Sequence, residues 1–279
     1  MSCLKGVINP MKLSTLLILV ILLLPTLAWA NDTELTYGGT PKPLNGNTTI
    51  SMKSEFVSMV IGDKYVTVDC RFTFENSGPV RKVRMGFPDE GGEIGEDVGP
   101  DGKVIHKAPT GTFMRFDSWV NGKKVKTSVI KAAEEGSVWH IKMVQFRANR
   151  TLEVRDRYTV PLGGSIAHFP VGVHLAKYVL HTGSSWRGPL GRSVVEVVFK
   201  SKGVRSPLAP KPLPKTNNRG MFAKNVNLDK HIVYYSGPCK PVASGKTLRF
   251  VRNSWRPEPK DDIYLMFDMN RQAVVKKKL

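Results

Sequence analysis

Tyr65-Val66-Thr67-Val68-Asp69-Cys70-Arg71-Phe72-Thr73-Phe74-Glu75 alternates apolar and polar residues without a break. Successive side chains of an extended strand point to opposite faces, so Val66, Val68, Cys70, Phe72 and Phe74 line one side and the polar residues the other. Such a strand needs neighbours and a second layer over its oily side. The stretch therefore predicts a sheet with one wet face and one covered face.

The same alternation recurs on both sides of it. Upstream, Ile50-Ser51-Met52 and Phe56 to Ile61 read as strands, and Gly62-Asp63 as the turn into the quoted stretch. Downstream, Val83, Met85 and Phe87 give an antiparallel return that Pro88 stops. Asn121-Gly122 marks a two-residue hairpin, because both positions tolerate positive φ. Ser128 to Glu135 reads as one or two helical turns closed by Gly136. Leu152, Val154, Tyr158 and Val160 share a face with Asp156, a carboxylate that needs a Tyr, Arg or backbone partner there. Val194 to Phe199 is apolar on both faces and predicts a buried central strand. Pro207, Pro210, Pro212 and Pro214 predict an exposed, polyproline-like segment that does not pair. Pro161-Leu162-Gly163-Gly164 breaks the pattern and is read as a boundary.

The expected fold is all-β: two β-sandwich-like, immunoglobulin-like units of antiparallel strands at residues 31–164 and 165–270, preceded by a signal-peptide helix at 1–30 and followed by a basic tail at 271–279. The leader reading rests on Lys5 and Lys12, the apolar run Leu16 to Leu24, the break at Pro25 and the small residues of Ala28-Trp29-Ala30, with cleavage before Asn31. Met11 is an alternative start. An uncleaved anchor is the competing reading, against which stands the shortness of the apolar run. Export through the general secretory route places the chain in the periplasm or outside the cell, with no integral membrane segment after cleavage.

The whole chain holds 42 Lys and Arg against 23 Asp and Glu, a net of +19. Residues 31–100 hold seven basic and eleven acidic residues, while residues 101–279 hold 33 and 12. A basic half of this size attracts polyanions, which outside the cytoplasm are lipid headgroups and acidic wall or capsule polymers. A solvated surface is the plainer explanation of the same charge. No nucleic-acid module is recognisable.

Candidate sites are few. Trp186, between Thr182-Gly183-Ser184-Ser185 and Arg187-Gly188-Pro189, could stack on a sugar or grip an acidic headgroup together with Arg187 and Arg192, or could fold inward as a plug. His168, His174 and His181 form the one histidine cluster, but Pro170 and Gly172 interrupt it and no carboxylate recurs at ligand spacing, so no metal or other cofactor is assigned. The acidic stretch Asp89 to Asp101 matches no calcium loop. Cys70 and Cys239 invite a disulfide in an oxidising compartment, although Cys70 on an apolar face also suits a free thiol. The nucleophile-elbow pattern fails at Gly183-Ser184-Ser185-Trp186-Arg187.

The chain resembles an uncharacterised family of exported bacterial proteins known as a β-rich domain of unknown function. The residues that carry the resemblance are Gly38-Gly39, Ile50-x-Met52-x-Ser54-Glu55, Asn76, Phe87-Pro88, Tyr178-x-Leu180-x-Thr182-Gly183-x-x-Trp186-x-Gly188-x-Leu190-Gly191, and Pro257 before Asp262-Ile263. The resemblance implies a β-rich fold in the bacterial envelope and transfers no catalytic residue.

These observations lead to a non-enzymatic exported protein that binds or organises an anionic envelope component. The alternatives are an envelope glycan or ester hydrolase with its site near Trp186, His174 and His181, and a structural module of a larger assembly.

Overall fold

The computed structural model describes residues 37–46, 49–90, 97–98, 104–105, 111–132, 137–162, 173–214 and 229–269. The leader, His168, most of the acidic stretch and the basic tail lie outside the described residues. No helix among the described residues is long and apolar enough to cross a membrane.

The described chain is nearly all strand, gathered into two large sheets and a two-stranded ribbon. The eight-stranded sheet runs Val242–Ser244, Thr247–Trp255, Leu190–Phe199, Ile50–Ile61, Tyr65–Asn76, Arg150–Pro161, Arg115–Val120, Lys123–Val125. The alternating stretch is thus near the middle of its sheet, paired along its whole length with Ile50–Ile61 on one side and Arg150–Pro161 on the other. The nine-stranded sheet runs Ser128–Lys131, Val138–Phe146, Arg81–Glu90, Tyr37–Gly39, Val173–Val179, Ile263–Asp268, Ile232–Ser236, Ala209–Pro212, with Lys42–Pro43 added beside Arg81–Glu90.

The apolar faces of the two sheets meet in one shared core. Val68 and Phe72 are buried, as the alternation requires. Rings cross the interface in pairs: Phe74 with Phe146 at 6.0 Å, Phe87 with Phe116 at 5.2 Å, and Phe199 with Phe267 at 5.0 Å. Each such side chain contributes about 1.5–3 kcal/mol by leaving water.

Several expectations are corrected. The boundary at Pro161-Leu162-Gly163-Gly164 does not separate two units, because both sheets take strands from either side of it. Leu190–Phe199 lies parallel to Ile50–Ile61, with Val194 opposite Phe56, and Val173–Val179 lies parallel to Tyr37–Gly39. A strand that is apolar on both faces is best placed in the interior of a sheet, so the late strand inserts beside the early one. These parallel pairs also depart from the antiparallel plan of an immunoglobulin-type domain, which has roughly seven to nine strands. Ser128–Lys131 is a strand rather than a helical turn, since it pairs with Val138–Ile141. The proline-rich segment does pair: Ala209–Pro212 forms a parallel sheet edge with Ile232–Ser236. It can do so because Ala209 and Leu213 donate to His231 and Tyr235, while Pro210 and Pro212, which have no N–H, fall at the alternate positions. The Asn121-Gly122 hairpin is as expected, with φ of 47° and 74°.

Candidate functional site

The Thr182-to-Gly191 stretch closes one end of the core. Leu180 leaves its strand and the chain makes a short 3₁₀ turn over His181–Ser185. The hydroxyls of the turn are all bonded to backbone carbonyls. Thr182 Oγ1 donates to the Thr40 carbonyl, Ser184 Oγ to the His181 carbonyl at 2.7 Å, and Ser185 Oγ to the Thr182 carbonyl at 2.6 Å. Asp262 anchors the turn from beneath, accepting the backbone N–H groups of Leu180 and His181 at 2.8 and 3.0 Å and contacting His181 Nδ1 at 2.9 Å.

Trp186 follows, and it points inward. Its side chain is 3% exposed, its ring centroid is 4.5 Å from that of Phe74, and Nε1 donates to the Pro41 carbonyl at 2.7 Å. Burial satisfies both the apolar ring and its one donor. The ligand-stacking role is therefore corrected: Trp186 is the plug.

The inward indole sets the next residue outward. Arg187 is exposed; its backbone N–H donates to the Ile50 carbonyl at 2.9 Å and its guanidinium to Ser77 Oγ. It stands over an open hollow of about 390 Å³ lined by Ser51, Lys53, Glu75, Ser77, Arg187 and Ser254, among others. Lys53 Nζ is 3.0 Å from Glu75. Gly191 shapes the floor, where the backbone passes so close to the Lys53 carbonyl that a Cβ has no room. The register of Ile50–Ile61 shifts between Met52 and Ser54 at this level, and that bulge carries Lys53. Arg192 sits one residue on, exposed on the outer face beside Ser54 and Asn253. The hollow is thus reached by Arg187, with Arg192 beside it and Trp186 turned away.

The other sequence candidates do not converge. His174 is half-buried and stacks on Phe267 with ring centroids 6.2 Å apart. Among the described residues no three His, Cys, Asp or Glu side chains are grouped to hold a metal. The described Ser184 and Ser185 hydroxyls face backbone carbonyls, so the nucleophile–base pair a hydrolase needs is not formed with His181. Cys70 and Cys239 are both free thiols, which corrects the disulfide. Cys70 Sγ lies 3.6 Å from Tyr178 Oη inside the core, whereas Cys239 Sγ faces the Val251 carbonyl at 3.5 Å.

The sequence reading missed a set of polar groups inside the core. Glu55 is 1% exposed. Its carboxylate accepts from Thr40 Oγ1 at 2.5 Å, Tyr178 Oη at 3.2 Å and Ser193 Oγ at 2.9 Å, tying four strands or loops together. The signal was present: apolar parity runs through Ile50 and Met52, then through Val57, Met59 and Ile61, and a bulge between the two sets turns Glu55 inward. Burial pushes the Glu55 carboxyl above the ordinary range, against the opposing pull of its three hydroxyl donors. A carboxyl whose folded pKa exceeds its unfolded one stabilises the fold most below about pH 4.5, and that contribution fades as pH rises through the folded value. Glu55→Gln is expected to flatten the stability profile above pH 4.5 in urea titrations; an unchanged slope between pH 4.5 and 7 would refute the assignment.

Asp89, at the head of the acidic stretch, is likewise internal. It accepts from Thr112 N and Oγ1 at 2.9 and 2.7 Å and from Phe113 N at 3.2 Å, and it contacts His140 Nε2 at 3.2 Å. Lys142 and Asp156 complete the set: both side chains are fully buried, with Nζ 2.6 Å from each carboxylate oxygen. The partner that Asp156 needs is thus a lysine from the opposite sheet. Burial pulls the Lys142 ammonium below the ordinary lysine range, and Asp156 opposes that shift.

No family model and no curated protein matches the chain. Among solved structures it is similar to a candidate nutrient-binding protein of Legionella pneumophila, at 18% identity over 85% of this chain and 73% of that one, with a TM-score of 0.57. That is a likeness of fold. Weaker matches are an M1 zinc metallopeptidase of Deinococcus radiodurans (12% identity, 79% of this chain and 42% of that one, TM-score 0.35) and yeast LTA4 hydrolase (11% identity, 79% and 29%, TM-score 0.39). The chain spans less than half of either enzyme, and neither match bears on function.

Proposed function

We propose that the chain is an exported, non-enzymatic β protein that holds a phosphate or carboxylate group of an envelope component at the Arg187 hollow. The observation that carries this reading is the outward guanidinium of Arg187 over a hollow lined also by Lys53, which pairs with Glu75, and by the hydroxyls of Ser51 and Ser254. A guanidinium fork and hydroxyl donors around an open hollow suit an oxyanion. The net charge of the whole chain adds a long-range attraction for the same partners. The similar Legionella pneumophila protein is described as a candidate nutrient-binding protein, and a binding role on a like fold supports this reading over catalysis.

The anion can belong to a wall or capsule polymer or to a lipid headgroup, and two assays separate these sources. Purified chain without its leader is passed over phosphatidylglycerol vesicles and over acidic wall polymer at rising salt. Retention on one of them that weakens with salt, and drops several-fold in Arg187→Glu at unchanged melting temperature, is the expected result. No salt-sensitive retention on either, or equal retention by Arg187→Glu, overturns the proposal.

A further inference from the structure

We propose that Lys142 and Asp156 condense to an intramolecular amide that joins the two sheets covalently. The contact lies wholly inside the core. Lys142 projects from Val138–Phe146 of one sheet and Asp156 from Arg150–Pro161 of the other, and neither side chain has any exposed surface. Nζ lies 2.6 Å from each carboxylate oxygen and so sits in the fork of the carboxylate, next to Cγ. A nitrogen in that fork stays edge-on when the carboxyl turns, so attack on the face of Cγ takes a change of the Asp156 χ1 or of a Lys142 torsion.

As an ion pair this contact is poorly supported. A buried pair needs further hydrogen bonds to offset the loss of water. Among the described residues the Asp156 carboxylate takes hydrogen bonds from Lys142 alone. Its cross-strand neighbour Ser118, on the same face, has a buried hydroxyl with no partner. Lys142 is flanked instead by Met85 across its own ladder and by the Phe116 ring, 5.9 Å from Nζ. Burial favours the neutral amine of Lys142, the form whose lone pair can attack. Brought face-on to Cγ, the amine would act at an effective concentration of about 10⁵–10⁸ M.

The step balances without any co-reactant. The ammonium passes one proton to the carboxylate, and the Nζ lone pair then forms the bond to Cγ. The Cγ–OH bond breaks, and the departing hydroxyl takes a second proton from nitrogen and leaves as water. Nothing is oxidised or reduced.

The test is the mass of the wild-type chain, reduced and fully denatured. The expected result is a mass short by one water, and a branched proteolytic peptide carrying both Lys142 and Asp156. That peptide should be missing from Lys142→Arg and Asp156→Ala. Because the wild-type measurement decides alone, a variant that fails to fold does not blunt it. A full wild-type mass, or a water loss that maps elsewhere, for example to a succinimide at Asp101-Gly102, overturns the proposal.

Discussion

Lys142→Met is expected to destabilise the fold by about 3–5 kcal/mol, because it strands the buried Asp156 carboxyl, which among the described residues takes its hydrogen bonds from Lys142 alone. Lys142→Met combined with Asp156→Leu should regain most of that loss where the wild type holds an ion pair, and little of it where the amide has formed, since the cross-link goes with the pair. Urea unfolding of the wild type, the single variant and the double variant measures both quantities. A loss below about 1 kcal/mol in the single variant would mean that water reaches Asp156, contrary to its complete burial. The loss in the single variant holds for an ion pair and for an amide alike, so that variant probes burial and leaves bond type to mass measurement.

Trp186→Ala is the second large effect, expected at about 3–5 kcal/mol as for other buried large aromatics. The indole touches Phe74, closes the end of the core and ties the turn to Pro41, so its removal opens a cavity and frees a carbonyl together. Trp186→Phe keeps much of the ring and loses the donor, and should cost about 1–3 kcal/mol. Thermal melts separate the two variants. Similar melting temperatures for Trp186→Ala and wild type would show that the ring lies at the surface. The same substitution should weaken anion retention, because Arg187 is aimed by its buried neighbour.

Much of the layered β fold was legible because burial with period two writes itself directly into the residues, as at Val66 to Phe74. The bulge near Lys53 was legible in principle, since the parity of the apolar residues changes between Met52 and Val57. Lys142 likewise shares parity with Val138, Val144 and Phe146, so its inward direction could be read. What alternation cannot supply is which strand lies beside which. Nothing near Leu190 says that its neighbour begins at Ile50, so a local break at Pro161-Leu162-Gly163-Gly164 was read as a boundary between units. Trp186 illustrates a different gap. A large aromatic among bend residues is compatible with display and with plugging, and only the position of the Pro41 carbonyl decides between them.

The parallel pairing of Ile50–Ile61 with Leu190–Phe199 has a consequence for how the chain is assembled. An early ribosomal product holding the first two long strands has an open flank until more than a hundred further residues have been made. The facing layer waits longer still, for Ile263–Asp268 to slot between Val173–Val179 and Ile232–Ser236. Closing loops of that span is slow, and such topologies fold in about milliseconds to seconds. Fragments cut anywhere before Asp268 should therefore behave as sticky, unfinished ribbons rather than as smaller autonomous domains.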